Sequence, residues 1–371
     1  MAICLDASNV ILKRLETRGM QVDVKMLSGF VEQEKSMVAF YLDKHGEKTT
    51  ASLSRKAKLL AGEFPGWPMT TRGASLSKAA VERFPGAPEL IGDSVKASTI
   101  SRQATSLDKL LQAVQSGRLF STYDIKPDVG RVYTKGFNYT GFAKKYRACI
   151  IPEQGRHFWK IDAKRVELYI LAYYSKCKTL LNDLNSGDYH QTFATKLFGV
   201  GLEEVTPEMR EESKAISFSI VYGGTKFLIS KELGVSEDRA QSYIDSFFNT
   251  YPEVLQFMAN ITERADFSSK TMFGTVRIFK NSTDVEKSMV SHAVQSTAGE
   301  LIRLLLPVVE QWTQKQEGQL IGIIFDEFLI ELPIEATEEK VKELTDILEK
   351  SSKDIGLPIY FSRSNLGSSW Q

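Results

Sequence analysis

An almost purely apolar run at residues 321–330 carries two adjacent carboxylates, Asp326 and Glu327. Such a run predicts a buried hairpin, and charge within a buried strand is costly unless it is paired or binds a cation. A second apolar strand begins near Trp159 and ends at Asp162. If the strands meet, Asp162 and Asp326 could hold a divalent metal. For Asp326-Glu327 taken alone, a solvent-facing turn is the alternative interpretation.

The size and charge of the chain limit the classes to which it can belong. Its 371 residues suffice for two or three subdomains. The formal net charge of +1 does not by itself indicate a nucleic-acid partner, so any basic surface must be local. One such cluster contains Lys144, Lys145 and Arg147, for which a solvated helix face or loop is the alternative.

The cysteines and histidines show no metal-ligand pattern. The 3 cysteines are an odd number and favour reduced thiols in a cytosol-like compartment. The 4 histidines lie far apart, which argues against a zinc site. No signal peptide is visible at Met1, and no apolar run is long enough to span a bilayer. We therefore expect a cytoplasmic protein without membrane contact.

The order of elements predicts an α+β fold. Helical periodicity is expected over 24–44 with Asp23 as the cap, and over 166–180, 207–222, 283–316 and 338–353. Residues 65–73 are rich in Gly, Pro and Thr and predict a loop. Strands are expected from His157, as a hairpin at 319–332, and at 358–362.

A stripe of cations and rings marks the helix that Thr206 is expected to cap and that begins at Pro207. Arg210, Lys214, Phe218 and Tyr222 are spaced by four, so successive members drift by about 40° around the helix axis. Cations at one end could meet a triphosphate, and rings at the other could meet a base. An amphipathic helix with two exposed cations and two core rings is the alternative.

Glu167 follows Asp162 by five residues, after one strand-to-helix turn. It could be a ligand, a structural anchor or a steric gate. A salt bridge is the alternative for an isolated glutamate.

Together these strings resemble the polymerase module of A-family DNA polymerases, the DNA polymerase I type. Asp162-x-x-x-x-Glu167-Leu168 is similar to the family's first motif, and Asp326-Glu327 to its third. Residues 188–194, 271–274 and 294–298 give supporting matches. The second motif is matched in full, by Arg210-x-x-x-Lys214-x-x-x-Phe218-x-x-x-Tyr222-Gly223.

The resemblance implies a right-hand polymerase fold with an antiparallel-sheet palm, helical fingers and a helical thumb. The expected division is thumb and N-terminal helical region at 1–115, first part of the palm at 116–185, fingers at 186–270, and second part of the palm at 271–371. The implied activity is that of a DNA-directed DNA polymerase that adds deoxynucleotides to a primer 3′ end by two-metal nucleotidyl transfer, without intrinsic proofreading.

Roles for individual residues follow from the resemblance. Asp162 and Asp326 would hold two Mg²⁺ ions, with Mn²⁺ as a substitute, and Glu327 would assist near the primer end. Glu167 would block the sugar 2′ position. The other implied contacts are with triphosphate (His190, Arg210, Lys214), with sugar and base (Phe218), with the templating slot (Tyr222), and with DNA (Gln295, Arg131, Lys144, Lys145, Arg147).

The implied partners are primer-template DNA and deoxynucleoside triphosphates, together with a separate exonuclease or processivity factor. A monomer in a bacterial or phage-infected cytoplasm is expected. A single-subunit RNA polymerase is the nearest rival, but that family lacks the glutamate gate and has serine in place of Glu327. A catalytically silent DNA-binding or accessory protein of the same fold is the other alternative, although binding alone requires no acidic cluster facing phosphate.

Several positions depart from the family's pattern. Phe325 stands where histidine is usual, Tyr169 and Phe142 where arginine is usual, and Ser291 and Lys287 where asparagine and arginine are usual. Several polar groups that would touch the primer minor groove are thus missing, which predicts weak discrimination against mispairs.

Overall fold

The computed structural model describes residues 6–126, 130–280 and 284–370. Cys4, one of the three cysteines, lies outside the described residues, and so does Thr283, the expected start of the helix at 283–316. The helices are α1 (Asp6–Arg18), α2 (Val24–Lys44), α3 (Thr50–Gly62), α4 (Lys78–Arg83), α5 (Glu89–Gln112), α6 (Val166–Ser175), α7 (Lys178–Asn185), α8 (Tyr189–Phe198), α9 (Pro207–Val221), α10 (Lys226–Leu233), α11 (Glu237–Thr250), α12 (Pro252–Thr262), α13 (Val285–Ser291), α14 (Thr297–Lys315) and α15 (Glu338–Asp354).

The strands are short except near the candidate site. They are β1 (Met20–Gln21), β2 (Met69–Thr70), β3 (Gly73–Ala74), β4 (Arg118–Leu119), β5 (Ser121–Ile125), β6 (Val132–Gly136), β7 (Arg156–Ala163), β8 (Ser268–Lys270), β9 (Val276–Ile278), β10 (Gln319–Ile324), β11 (Glu327–Pro333) and β12 (Phe361–Gly367). A π-helical turn, His292–Ser296, joins α13 to α14.

The chain divides into two compact units. The larger unit contains Met1–Arg18, Ser121–Gly141 and Glu153–Gly367, and the smaller unit contains Gly19–Phe120, Phe142–Pro152 and Ser368–Gln371. In the smaller unit, α5 packs against α2 and α3. Tyr146 donates a hydrogen bond to Glu34 of α2 (2.8 Å), which ties the later segment of this unit to its helices.

An antiparallel sheet of order β10-β11-β7-β12 forms the centre of the larger unit. Nearly every residue of β10 and β11 is buried, which explains why their sequence shows an apolar run rather than alternation. α14 packs against β10 and β11, and α15 packs against α14 and β12. Trp159 of β7 and Phe328 of β11 belong to this core.

Local capping signals gave correct helix starts. Asp23 accepts a hydrogen bond from the Met26 backbone N–H (2.8 Å) and caps α2. Thr206 accepts one from the Met209 N–H (3.3 Å), with Pro207 at the first helical position of α9. A side-chain acceptor satisfies an N–H that the helix itself leaves unpaired. The predicted bounds of both helices are confirmed to within a residue.

Other boundaries were wrong for identifiable reasons. The expected helix at 166–180 breaks, because Lys176 adopts the left-handed conformation (φ 56°) and Cys177 caps a new helix, α7. The expected loop at 65–73 contains a small hairpin, β2 with β3. The final strand lies at Phe361–Gly367, beyond the expected 358–362.

A buried ion pair fastens α1 to α14 in the larger unit. The Arg18 guanidinium lies 3.1 Å from a Glu310 carboxylate oxygen and also donates to the Leu320 carbonyl. Glu310 is buried, whereas Lys13, which pairs with Glu16 on the same helix α1, is exposed. Loss of Arg18 would leave the buried Glu310 carboxylate with the exposed Arg14, whose guanidinium lies 3.9 Å away, and a buried charge that loses its main partner is costly.

We therefore expect Arg18→Leu to lower the free energy of unfolding by about 3 kcal/mol. Denaturant unfolding of the whole chain measures this loss. Lys13→Leu is the matched control, for which a change of no more than about 0.5 kcal/mol is expected. Equal effects of the two substitutions would contradict the assignment of α1's attachment to the buried pair.

Candidate active site

The register of the sheet brings two distant acidic residues together. β11 pairs with β7 so that Glu327 lies opposite Asp162. Asp326 occupies the tip of the hairpin just before Glu327, and its backbone carbonyl accepts a hydrogen bond from the Ala163 N–H (3.0 Å). The end of one strand and the tip of a hairpin that is distant in sequence therefore meet at one edge.

Burial and mutual repulsion act on this pair of carboxyl groups. Burial raises the pKa of Asp326 to about 6, and the charges of Asp162 and Glu167 add to the increase. Burial also raises the pKa of Asp162, while Lys160 and Lys164 oppose the shift. Both effects disfavour two bare anions, and a bound cation would relieve both.

Glu327 is the first residue of β11, one position after Asp326. Its position directly across from Asp162 places both side chains on one face of the β11-β7 pair. A Glu327 carboxylate oxygen lies 3.4 Å from the Lys160 ammonium, which occupies the same face two residues before Asp162.

The residue before Asp326 has an unusual backbone. Phe325 adopts the left-handed region (φ 58°), which is strained for a bulky side chain, and its ring is 49% exposed. The guanidinium of Arg131 lies 5.4 Å from the centre of this ring. Strain at the hairpin tip is thus offset in part by a cation–π contact.

Glu167 is held from two sides. Its carboxylate accepts hydrogen bonds from Arg131 and from the Tyr222 hydroxyl, and the residue is buried. Burial raises its pKa, while Arg131 and Tyr222 oppose the shift. The salt bridge that was the alternative interpretation is therefore present, and the same two contacts hold the Glu167 carboxylate in one position. The contact of Arg131 with Glu167 was not foreseen, because the two lie 36 residues apart without a linking pattern.

The helix α9 carries the predicted stripe. Arg210 donates to Asp188 (2.8 Å) and also pairs with Glu211, from which the Lys214 ammonium lies 3.7 Å away. At the other end, the rings of Phe218 and Tyr222 stack with centroids 6.2 Å apart. Cations and rings thus occupy opposite ends of one helix.

His190 lies in the first turn of α8, next to this stripe. Its ring centroid is 5.8 Å from that of Phe218. Burial lowers the pKa of His190 to about 4; Asp188 opposes the shift, and Arg210 and Lys214 add to it. At neutral pH, His190 can therefore offer an anion a hydrogen bond but no charge.

A surface cavity of about 730 Å³ runs beside α9. Lys214, Phe218 and Tyr222 line it, together with Lys287 of α13. Gly223 and Gly224 follow the end of the helix, and a Cβ on Gly224 would lie 2.1 Å from the Ser219 hydroxyl oxygen and 2.6 Å from the Ser219 carbonyl oxygen. Glycine is thus required at position 224, which also lines the cavity.

The structure gives different surroundings to the five predicted DNA contacts. Gln295 is half-buried in the π-helical turn, and Arg131 contacts Glu167. The other three belong to the smaller unit. Lys144 and Lys145 are exposed, but Lys145 pairs with Glu34 (2.8 Å), and Arg147 lies 4.1 Å from the Trp370 ring centre.

A family model provides the deciding comparison. Residues 56–371 match the model described as DNA polymerase family A. The chain belongs to this family. Its α+β right-hand polymerase fold, expected from the sequence, is confirmed by likeness to a solved polymerase domain.

Curated relatives of this family A member are bacterial DNA polymerase I proteins. The one from Borreliella burgdorferi is 29% identical, and the match covers 76% of this chain and 33% of that protein. For Pseudomonas aeruginosa and Bacillus subtilis the identities are 26% and 24%, with 97% of this chain covered in each case and 43% and 44% of the relatives. The chain thus spans less than half the length of these relatives.

Among solved structures, the POL domain of Pol1 from M. smegmatis, in complex with DNA primer-template and dNTP, is similar with a TM-score of 0.85. Identity is 21%, and the match covers 97% of this chain and 68% of that chain. Among the helices of the described residues, none combines the length and apolarity needed to cross a membrane.

The carboxylates fit a hard divalent cation. Within residues 6–126, 130–280 and 284–370, no group of three or more His, Cys, Asp or Glu side chains forms a complete metal site. Mg²⁺ needs only one or two carboxylates when water and substrate phosphates supply the remaining oxygens. Asp162 and Asp326, whose pKa values burial raises, are the side chains of this family A member that would hold it.

Residues that depart from the family's pattern have their own local roles. The single proton of the Tyr169 hydroxyl has two acceptors within reach in the larger unit's core, the Leu184 carbonyl (3.1 Å) and the Asn185 side-chain oxygen (2.9 Å). Phe142 is buried in the smaller unit, with its ring 6.0 Å from that of Tyr146. Both side chains are buried, and neither carries the positive charge of the arginine that is usual at its position.

Proposed function

We propose that this chain is a template-directed, DNA-dependent DNA polymerase that adds deoxynucleotides to a primer 3′ end. The observation that carries the proposal is the register of β7 with β11, which sets Asp162 beside the hairpin tip bearing Asp326. Membership of DNA polymerase family A supports the same activity. The solved relative in complex with primer-template and dNTP supports these as substrates.

The residues of α8 and α9 would bind and orient the nucleotide. Arg210 and Lys214 would exchange their internal carboxylate partners for phosphate oxygens, and neutral His190 would donate a hydrogen bond. The stacked rings of Phe218 and Tyr222 would hold the sugar and base beside the cavity. Such positioning supplies most of the catalysis in phosphoryl transfer.

Asp162 and Asp326 would hold two Mg²⁺ ions, which supply charge neutralisation for the attacking and leaving oxygens in this chemistry. Glu327, across from Asp162, would assist at the primer end. Gln295, Arg131, Lys144, Lys145 and Arg147 would contact DNA. Arg131 would do so with the guanidinium N–H groups that its bond to Glu167 leaves over. In this proposal the thumb is formed by 1–115, the palm by 116–185 with 271–371, and the fingers by 186–270.

Primer extension tests the proposal directly. A labelled primer-template is incubated with Mg²⁺ and either deoxynucleotides or ribonucleotides, and products are resolved by length. Templated extension with deoxynucleotides is expected. Ribonucleotide-only extension would instead indicate an RNA polymerase, and DNA binding without extension would indicate an accessory protein. The proposed reaction includes no excision step, so a mismatched primer end should not be shortened in the absence of nucleotides.

The departures from the family's pattern lead to a further prediction. Ser291 and Lys287 offer different polar groups from those usual beside Gln295, and Phe325 offers none. We expect misinsertion frequencies about tenfold higher than those of a family member with the usual residues, since each lost polar contact removes on the order of 1 kcal/mol of discrimination. Steady-state single-nucleotide insertion measures them, and equal frequencies would contradict the expectation.

A further inference from the structure

Arg165 stands at an unusual place between β7 and α6. It precedes the first turn of α6 with left-handed backbone angles (φ 51°, ψ 34°), and its carbonyl accepts the Tyr169 N–H (3.1 Å). Its side chain makes no capping hydrogen bond to the helix. A non-glycine residue in this region is strained, and such strain concentrates at functional sites.

The guanidinium of Arg165 reaches across to the segment that precedes α8. Its Nη1 donates to the Gly187 carbonyl oxygen (2.8 Å). The next residue, Asp188, caps α8 by accepting from the His190 N–H (3.0 Å) and pairs with Arg210 (2.8 Å). One arginine therefore fixes the turn from which both His190 and Arg210 are positioned.

The charges around this turn do not cancel. Arg210 pairs with Asp188 and Glu211, and Lys214 lies near Glu211. Among the described residues, no carboxylate pairs with Arg165, whose side-chain partner is a neutral carbonyl. Three cations thus face two carboxylates, and the excess positive charge lies beside the turn that Arg165 holds. Such an excess attracts an anion such as the phosphates of a nucleotide.

We propose that Arg165 is a positioning residue for phosphate binding. It holds the Gly187-Asp188 turn so that Arg210 and His190 can contact the same phosphate group. It also adds a positive charge that no carboxylate among the described residues neutralises. The ligand class is the terminal diphosphate part of a nucleoside triphosphate, or free pyrophosphate. This inference rests on the proposed function for the identity of the nucleotide, but not for the binding of pyrophosphate.

Arginine suits this position better than lysine. Its planar fork can donate to the Gly187 carbonyl and still present further N–H groups to a phosphate, whereas an ammonium is a point charge. The chain also offers a matched control. Lys176, at the other end of α6, is an exposed cation with nearly the same left-handed backbone (φ 56°, ψ 27°).

The test compares Arg165→Gln, Arg165→Lys and Lys176→Gln with the wild type. Titration calorimetry with inorganic pyrophosphate at low ionic strength measures binding without turnover. Arg165→Gln is expected to weaken binding about tenfold, since it loses a charged hydrogen bond. Arg165→Lys should recover part of this loss, and Lys176→Gln should bind like the wild type.

Primer extension provides the second readout. Arg165→Gln should raise the KM for deoxynucleotides about tenfold while kcat changes less than twofold, with primer-template affinity and melting temperature unchanged. Pyrophosphate binding that is equal in all variants would overturn the proposal. So would a loss of primer-template affinity with an unchanged KM, because Arg165 would then be a DNA contact. A wild type that binds pyrophosphate but extends no primer would overturn the proposed function and leave the phosphate site intact.

Discussion

Asp326→Asn is expected to reduce primer extension by about 10³-fold, the largest effect of any single substitution considered. The change keeps the shape of the side chain but removes one of the two carboxylates that meet at the end of β7. Asparagine is a weaker ligand for a hard cation. The nearby carboxylates have other partners, Glu327 with Lys160 and Glu167 with Arg131 and Tyr222, so we do not expect them to replace the lost one. Single-turnover extension with saturating nucleotide measures the loss.

The same substitution should stabilise the protein. Asp326 has a pKa of about 6 in the folded chain against an ordinary value of 3.8. Because the folded state holds this proton more tightly than the unfolded state, stability falls as pH rises from about 4 to about 6 and stays lower above that range. Asparagine lacks this penalty, so the variant should gain on the order of 3 kcal/mol at pH 7.

Thermal melting at pH 4 and pH 7 measures the gain, which should shrink at the lower pH. Asp346→Asn, at an exposed position of α15 paired with Lys342, is the control and should change neither activity nor stability appreciably. An Asp326→Asn variant that extends primers like the wild type would overturn the site. One that loses activity together with stability would show that Asp326 has a structural role instead.

Glu167→Ala is expected to raise ribonucleotide incorporation relative to deoxynucleotide incorporation by about 10²-fold. The carboxylate is buried and fixed by Arg131 on one side and Tyr222 on the other. A side chain held in this way cannot move aside for an added hydroxyl group, so its bulk would exclude the 2′ oxygen. Alanine opens that space. The measurement is the ratio of kcat/KM for a ribonucleotide and its deoxynucleotide opposite one template base.

Two further variants separate bulk from charge. Glu167→Gln keeps the volume and should retain most of the discrimination, although its bond to Arg131 weakens. Tyr222→Phe removes one of the two hydrogen bonds and should give an intermediate ratio, because Arg131 still holds the carboxylate. If Glu167→Gln were as permissive as Glu167→Ala, charge rather than bulk would be responsible.

Much of this site could be predicted from sequence because its parts carry local signals. Thr206-Pro207 predicts the start of α9, and the spacing of four residues determines which side chains of α9 share a stripe. The apolar run at 321–330 predicts a hairpin that is buried on both faces. Each signal depends on neighbours within a few residues, where the geometry of helix and strand leaves few choices.

Long-range contacts could not be predicted in this way. Arg131 with Glu167, and Arg165 with the Gly187 carbonyl, join segments whose spacing carries no periodic signal. The break after Ser175 depends on Lys176 adopting a left-handed backbone, which lysine rarely does and its sequence does not announce. The register of β7 with β11 likewise follows from packing of the whole sheet.

The π-helical turn at His292–Ser296 has a consequence for comparing and redesigning this chain. A wider turn accommodates one residue more than an α-helix would, so the side chains of α13 and α14 belong to two registers offset by about 100°. Deleting one residue there would merge them into one regular helix and turn Lys287 around the axis, away from the cavity it lines. The number of residues in this turn, as much as their identity, therefore decides which side chain of α13 faces the cavity.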